Sequence, residues 1–196
     1  MAPLDAEEGR EGQEPPTDAE AATRAILIRP SAMAPRVPAM AYRLRPARAS
    51  DEPMIWKATM ETVWNDVPED EKPTLERRDF EGRLMEYVRE FVEGRRGERF
   101  IAEDEAGRLV GYMILGAITP IFSPHPVGFV YDVWVVPDRR RGGAGRFLLA
   151  EAERWARAKG YRTLKLEVGD GNAPARSLYG SAGFRAERVH MAKALR

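Results

Sequence analysis

Hydrophobic and polar residues follow two different periods along this chain, and the clearest change of period lies at Pro137. Residues 129–136 are all apolar or aromatic except Asp132, which is typical of a short strand covered on both faces. From Leu148 the apolar residues recur at helical spacing with charged residues between them. The pattern therefore predicts a strand and a helix, joined by a turn that starts at the proline.

The same two periods predict the order of the remaining elements. A length of 196 residues favours one domain with a real core. Before the central strand we expect a strand at residues 42–46, a helix that starts at Ser50 or Asp51, a second helix at 75–93, and strands at 99–103 and 109–115. After the central helix we expect a strand at 164–168, a short helix that starts near Asn172, and a last strand within 184–195.

Residues 1–40 differ in composition from the rest, because they are rich in Ala, Glu and Pro. Their apolar run at residues 25–28 is too short for a signal-peptide core. We expect a disordered leader ahead of a domain at residues 41–196, or an over-extended start with Met40 as an alternative beginning. No segment approaches the ~20 apolar residues that span a membrane, so we expect a cytoplasmic protein without a membrane partner.

The overall composition excludes several kinds of chemistry. Lys plus Arg and Asp plus Glu both number 31, so the net charge is zero and gives no general attraction to nucleic acid. The absence of cysteine removes disulfides, thiol nucleophiles and thiolate metal sites. His125 and His190 are too few and too far apart in sequence to suggest a metal cluster. We therefore expect neither a nucleic-acid partner nor a metal.

The turn after the central strand combines arginines with glycines. Glycines let a ligand approach the main chain closely, and the start of a helix leaves its first N–H groups without partners. The first helical turn carries no acidic residue but adds an arginine, against the usual preference for negative charge there. A bound phosphate or diphosphate would satisfy both features, whereas a solvated basic turn is the alternative. The residues concerned are Arg139, Arg140, Arg141, Gly142, Gly143, Ala144, Gly145 and Arg146.

Three phosphate-binding motifs can be compared with this turn. A P-loop requires Gly-Lys-Ser/Thr, but Gly145 is followed by Arg146 and Phe147. A dinucleotide fingerprint requires a third glycine where Leu148 stands, so a nucleotide-binding protein is kept only as an alternative. The third motif is V-x-P followed by R-x-x-G-x-G, within residues 135–145. It resembles the coenzyme-A pyrophosphate loop of the GNAT superfamily of N-acetyltransferases.

A second motif supports the same resemblance. The spacing N-x-x-A-x-x-x-Y-x-x-x-G-F, from Asn172 through Tyr179 to Phe184, is similar to the downstream half of the same superfamily's core. Two independent motifs in the right order are more specific than either alone. The resemblance implies an α/β fold with a mixed, mostly antiparallel sheet of about six to seven strands. About four helices would flank this sheet, which would splay at the fourth strand.

The resemblance also implies an activity. The chain would be an acyltransferase that moves an acetyl group from acetyl-CoA, its cosubstrate, to a primary amine by direct transfer in a ternary complex. The acceptor would be a small-molecule amine, of which a cationic one is an option, or a protein amino group. A homodimer is an open expectation for the assembly. The alternative is a noncatalytic module that binds acyl-coenzyme A for regulation.

The resemblance assigns roles to particular residues. The main-chain groups of Trp134, Val135 and Val136 would hold the pantetheine and the thioester, and the turn from Arg140 to Arg146 would hold the pyrophosphate. Asn172 would contact the coenzyme or cap a helix, two roles that are compatible. Tyr179 would contact the coenzyme and act as general acid, since an ordinary tyrosine pKa of ~10 keeps it protonated. The alternative for Tyr179 is a core tyrosine.

The general base is open from the sequence. Burial would raise the pKa of Asp132 toward useful values, but the carboxylate can equally be structural, and strand alternation puts it on the face opposite Tyr131. Glu103, His125 and water are weaker candidates. An acidic loop would favour a cationic amine if it lined the acceptor groove, although a solvated loop is the competing interpretation. That loop contains Asp66, Glu69, Asp70 and Glu71.

Overall fold

The computed structural model describes residues 42–193 and Leu195, which form five strands and four helices. The predicted leader at residues 1–40 lies outside the described residues. The order of elements follows the prediction as far as the last helix. The strands are β1 Arg43–Pro46, β2 Glu98–Glu103, β3 Leu109–Ile118, β4 Val127–Val135 and β5 Leu164–Leu166. The helices are α1 Glu52–Asp66, α2 Arg77–Val92, α3 Ala144–Ala158 and α4 Ala173–Ser181.

The five strands form one mixed sheet in the order β1-β2-β3-β4-β5. All neighbours are antiparallel except β4 and β5, which run parallel. β4 pairs with β3 as far as Val135, but it pairs with β5 only from Gly128 to Val130. From Tyr131 onward β4 therefore has no partner on its β5 side among the described strands, and the sheet opens there.

The expectation of six to seven strands is wrong for the described residues, which contain five strands. The predicted last strand is absent, because residues 184–193 have no regular secondary structure. This tail contacts β5 through an ion pair between Glu187 and Lys165 rather than through a main-chain ladder. Val189 and Met191 are consequently exposed.

Helices cover both faces of the sheet, which explains the unbroken apolar run of β3 from Val110 to Leu115. On one face Leu148 and Ala152 of α3 pack against Met113 and Val130. On the other face, the residues of α1 and α2 pack against β2 and β3 in a second cluster, which contains Ile55, Ala58, Val92, Ile101, Tyr112 and Ile114. The opening between β4 and β5 gives access to this second face.

Candidate active site

A β-bulge at Tyr131 sets the orientation of the side chains around Asp132. On β3, Ile114 pairs with Asp132 and the next residue pairs with Val130, so Tyr131 has no residue opposite it. The Tyr131 ring packs on Phe91 of α2, while Asp132 accepts a hydrogen bond from α1. Both side chains therefore lie on the same face of the sheet. The expectation that they lie on opposite faces is wrong, because the extra residue resets the alternation.

Asp132 receives two hydroxyl groups in a buried setting. Its Oδ2 accepts from Tyr112 Oη at 2.6 Å and from Thr59 Oγ1 at 2.8 Å. Burial raises the pKa of Asp132, and these two hydrogen bonds oppose part of that rise. Tyr112 and Thr59 are 0% and 4% exposed, so the carboxylate is held firmly in one place. A carboxylate with a raised pKa is a better proton acceptor at neutral pH.

Tyr179 of α4 borders the same cavity as Asp132. Within the part of the chain that the structure describes, its hydroxyl makes no hydrogen bond, and its ring meets Phe184 edge-on at 6.0 Å. Burial and the nearby carboxylates of Asp132 and Asp66 raise the pKa of Tyr179 to about 12. The hydroxyl therefore stays protonated at neutral pH and can donate a hydrogen bond into the cavity. The predicted acid and the predicted base thus border one cavity.

Asn172 links the start of α4 to the end of α1. Its Oδ1 accepts from the Ala175 N–H at 3.2 Å, so it caps α4 as one of the two predicted roles requires. Its Nδ2 donates to Asp66 Oδ1 at 3.0 Å. A contact between Asn172 and the coenzyme stays a prediction. The link to Asp66 joins residues 106 positions apart, and no local pattern indicates it.

The cavity has a volume of about 270 Å³ and lies among α1, α2, β4, β5 and α4. Thr59, Thr62, Val63 and Asp66 reach it from one face of α1, because their spacing follows the helical period. Among the described residues, three carboxylates line the cavity, those of Asp66, Asp132 and Glu167. The arrangement places proton-accepting and proton-donating groups around a partly apolar space.

The basic turn presents a row of unpaired main-chain donors. Residues 141–146 have main-chain N–H groups for which the described residues supply no acceptor, and Phe147 is the first to bond, to Gly143 O at 3.0 Å. Gly143 adopts a φ of 90° and Arg141 a φ of 64°, in the left-handed region. Arg141 therefore occupies a conformation that favours glycine. Donors arranged in this way suit a phosphate group.

Contacts at both ends hold the turn in place. The Tyr42 hydroxyl donates to Gly142 O at 2.9 Å, and Arg140 Nε donates to Val135 O at 3.1 Å. A Cβ on Gly145 would lie 2.8 Å from Leu178 Cδ2, so the absence of a side chain at Gly145 lets α3 pack closely against α4. The turn is therefore joined to the end of β4 and to the helix that carries Tyr179.

The main chain of β4 differs in part from the expectation for the pantetheine. The Val136 N–H donates to Val110 O at 2.9 Å and is not available to a ligand. Because N–H groups in an antiparallel pair face the neighbouring strand at every second residue, that of Trp134 also faces β3. Only Val135 of the three predicted residues directs its main chain toward the opening. By the same alternation Val133, which the sequence did not indicate, does so as well.

The weaker candidates lie elsewhere. Glu103 binds Arg45 at 2.7 Å, which lowers the pKa of Glu103, and it does not border the cavity. His125 lies in the loop before β4 and does not border the cavity either. In the acidic loop, only Asp66 borders the cavity, and Glu69 forms an ion pair with Lys72 instead. Glu69, Asp70 and Glu71 therefore do not line this cavity.

Residues 42–193, the described part of the chain, offer neither a metal cluster nor a membrane helix. They contain no group of three or more His, Cys, Asp or Glu side chains placed to hold a metal ion. They also contain no helix with the length and apolar character needed to cross a membrane.

The sequence is similar to those of known acetyltransferases. The acetyltransferase (GNAT) family pattern matches residues 56–184. A mycothiol acetyltransferase of Saccharomonospora viridis is 39% identical over 88 residues, which are 43% of this chain and 29% of that protein. A mycothiol acetyltransferase of Streptomyces bingchenggensis is 30% identical over 141 residues, or 72% of this chain and 42% of that protein. The chain thus spans less than half the length of these two relatives.

Solved structures share the fold. A putative acetyl transferase from Pyrococcus furiosus matches with a TM-score of 0.65 and 24% identity, over 79% of this chain and 100% of that one. AAC(6')-Iy in complex with the bisubstrate analogue CoA-S-monomethyl-acetylneamine matches with a TM-score of 0.54 and 19% identity, over 80% of this chain and 99% of that one. At these identities the likeness concerns the fold.

Proposed function

Because the chain belongs to the GNAT acetyltransferase family, we propose that its domain, from about residue 41 to the last residue, transfers an acetyl group from acetyl-CoA to a primary amine. Transfer is direct and takes place in a ternary complex. One observation carries the proposal: a turn whose N–H donors have no acceptor among the described residues is joined through Gly145 and Leu178 to the helix whose Tyr179 borders the same cavity as Asp132. A diphosphate at the turn and a thioester in the cavity would satisfy both features.

The coenzyme is bound by main-chain groups and arginines. The N–H groups of residues 141–146 accommodate the pyrophosphate, with Arg140, Arg141 and Arg146 as counter-charges. The pantetheine enters the opening between β4 and β5, where Val133 and Val135 offer main-chain groups that no described strand uses. A hydrogen bond to the thioester carbonyl at this point stabilises the oxyanion that develops during transfer.

The amine reacts only after it loses a proton. An aliphatic ammonium has a pKa near ~10.4, and Asp132, whose own pKa is raised, is placed to accept the proton. The neutral nitrogen then attacks the thioester carbon, so that a C–N bond forms and the C–S bond breaks. The balanced reaction converts an ammonium and acetyl-CoA into an N-acetyl amide, free coenzyme A and one proton.

Tyr179 assists departure of the thiolate. A tyrosine with a pKa of about 12 does not transfer its proton completely to a thiolate, whose ordinary pKa is ~8.5. Its hydroxyl therefore stabilises the thiolate by a hydrogen bond as the C–S bond breaks, and the thiol proton comes finally from solvent or from the acceptor. The absence of a hydrogen-bond partner among the described residues and the position of Tyr179 in the cavity support this role.

The relatives support the reaction class rather than the acceptor. Two of them are named mycothiol acetyltransferases, and one structural neighbour binds a coenzyme-A bisubstrate analogue. We infer a small-molecule amine as acceptor, because the cavity of about 270 Å³ is small. A protein amino group is the competing acceptor.

A homodimer is the proposed assembly, and light scattering would check it.

The test combines binding and turnover. Calorimetry should show that acetyl-CoA binds and that NAD and ATP do not, and free thiol should be released when amines are added. Arg140→Ala should weaken acetyl-CoA binding by about tenfold, in line with the loss of a charge-assisted hydrogen bond. Arg139→Ala is the matched control, because Arg139 is engaged by Asp104 at 3.6 Å. Absence of acetyl-CoA binding would refute the proposal.

A noncatalytic acyl-coenzyme-A module is the second candidate. Tight binding of acetyl-CoA without thiol release for any amine would identify it. The Tyr179 hydroxyl, which no described residue engages in the cavity, favours catalysis, since a module that only binds needs no proton donor there.

A further inference from the structure

The lining of the cavity offers an acidic group with an open acceptor. Asp66 is the last residue of α1, and its Oδ1 is occupied by Asn172. Its Oδ2 receives no hydrogen bond from the described residues. Because Asp66 borders the cavity together with Asp132 and lies within electrostatic reach of it, a positively charged group near Asp66 would meet two carboxylates.

Aromatic side chains also line the cavity. The rings of Phe91 and Tyr131 lie 4.1 Å apart at 34°, and Val88 adds to the same wall. The Tyr131 hydroxyl donates to Ala117 O at 3.1 Å, so Tyr131 offers its ring rather than its polar end. Tyr87 borders the cavity and is 80% exposed, which is unusual for an aromatic side chain beside a pocket.

A positive charge lies near the aromatic side chains but does not itself border the cavity. The guanidinium of Arg96 lies 5.5 Å from the centre of the Phe91 ring and 3.9 Å from the Glu90 carboxylate. Burial raises the pKa of Tyr131, and the charge of Arg96 opposes that rise, which places Arg96 within electrostatic reach of both rings. A second ammonium of a ligand held at the Phe91 ring would lie near the like charge of Arg96.

We propose that the acceptor is a small primary amine with one positive charge and an aromatic or aliphatic body. Asp66 attracts the ammonium, the Phe91 and Tyr131 rings hold the apolar body, and Arg96 rejects a second positive charge. The inference rests on the proposed acetyl transfer and narrows its acceptor. The cavity volume is at the low end of the ~300–1,000 Å³ of ligand sites and must also admit the acetyl group, so the amine is small.

The test uses amines that differ by one feature. Hexylamine and 1,6-diaminohexane have the same chain, but the second carries an additional ammonium, and 2-phenylethylamine supplies an aromatic body. With acetyl-CoA saturating, hexylamine and 2-phenylethylamine should exceed 1,6-diaminohexane in kcat/KM by at least about tenfold, the scale of discrimination by a pocket contact. Calorimetric titration of each amine into the coenzyme-A complex should give the same order without turnover.

Variants separate the three roles. Arg96→Gln should raise kcat/KM for 1,6-diaminohexane relative to hexylamine severalfold, whereas Arg95→Gln should not, because among the described residues Arg96 and not Arg95 lies over the Phe91 ring. Asp66→Asn keeps the acceptor for Asn172 but removes the charge, and should raise KM for every amine by about tenfold. Asp70→Asn is its control, since Asp70 does not border the cavity. Phe91→Ala should raise KM for 2-phenylethylamine with coenzyme affinity unchanged.

Two results would overturn the inference while leaving acetyl transfer intact. The first is acetylation of 1,6-diaminohexane or kanamycin in preference to the monoamines, and the second is acetylation only of peptide or protein amino groups. Equal binding of hexylamine and the diamine to the coenzyme-A complex would also overturn it. Failure to bind acetyl-CoA would refute the proposed function and the inference together.

Discussion

The Tyr112 hydroxyl donates a 2.6 Å hydrogen bond to Oδ2 of Asp132, and this bond joins β3 to β4 beneath α1. Thr59 of α1 lies 2.8 Å from the same oxygen and 3.0 Å from the Tyr112 hydroxyl. Burial raises the pKa of Tyr112 well above its ordinary value, so Tyr112 remains a donor throughout the working pH range. The proposed base is therefore oriented by two fixed hydroxyls.

Replacing Tyr112 by Phe should move the pH dependence of the reaction. The Tyr112 hydrogen bond favours the charged form of Asp132, so its loss raises the pKa of Asp132 further. The acid limb of the kcat/KM profile should move to higher pH. Tyr161→Phe, a substitution of the same kind outside the cavity, should leave the limb where it is. A limb that does not move in the Tyr112 variant would argue against Asp132 as the base.

Replacing Asp132 by Asn should lower activity without lowering stability. Because the pKa of Asp132 is raised in the folded protein, the folded state holds the proton more tightly than the unfolded state does. The charged carboxylate is then unfavourable at pH 7, and protonation relieves this cost as the pH falls through the raised pKa. The neutral amide should therefore raise the free energy of unfolding at pH 7.

Urea denaturation at pH 7 and pH 4 measures this difference, which should shrink at the lower pH. The rate of acetyl transfer should fall by roughly 10²-fold or more, as for loss of a general base. Asp70→Asn, outside the cavity, should change neither quantity. An Asp132→Asn variant less stable than the parent at pH 7 would mean that the charge is structural.

Replacing Tyr179 by Phe should separate binding from chemistry. The variant should bind acetyl-CoA with unchanged affinity and lose roughly 10²-fold or more in kcat, the usual scale for an assisting proton donor. Since the pKa of Tyr179 is raised to about 12, the parent should show no basic limb from this residue below pH ~10. An unchanged kcat in the variant would remove Tyr179 from the mechanism.

Replacing Gly145 by Ala should disturb the turn through α4. The added Cβ would lie 2.8 Å from Leu178 Cδ2, so the turn or the Leu178 side chain must move. We expect acetyl-CoA affinity to fall by about tenfold and to recover when Leu178→Ala is added, because contacting residues couple. Gly180→Ala on α4 is the control, since a Cβ there meets nothing within 4 Å. Calorimetry on the parent, on Gly145→Ala, on Leu178→Ala and on the double variant gives the coupling energy. Strictly additive effects of the two substitutions on acetyl-CoA affinity would contradict the coupling.

Replacing Arg141 by Gly should relieve strain while removing a charge. Arg141 lies in the left-handed region, which costs a non-glycine residue roughly 1–2 kcal/mol. Glycine removes this strain, but its greater flexibility in the unfolded chain offsets part of the stabilisation. The free energy of unfolding should rise by up to about 1 kcal/mol, while acetyl-CoA binding weakens. Arg146→Gly should instead lower the free energy of unfolding, because Arg146 is within α3, where glycine is a poor helix former. A lower free energy of unfolding in the Arg141→Gly variant would show that the backbone of Arg141 is not strained.

The extent to which the sequence predicted the site differs between its two halves. The basic turn was predicted together with its helix, because the arginines, glycines and helical spacing are neighbours in the chain. Which main-chain N–H groups of β4 are free was not predicted, because it depends on the pairing with β3, in which the Val136 N–H donates to Val110 O. That pairing depends on strand register, which the local pattern does not specify.

The sequence by itself determined the order of strands and helices as far as α4, the glycine-rich start of α3 and the residue types of the site. These follow from periodicity and from the conformational preferences of residues adjacent in the chain. Only the tertiary structure decided that Tyr131 and Asp132 share a face, that Asn172 holds Asp66, and that the described tail forms no ladder with β5. Those features depend on register, burial and partners that lie far away along the chain.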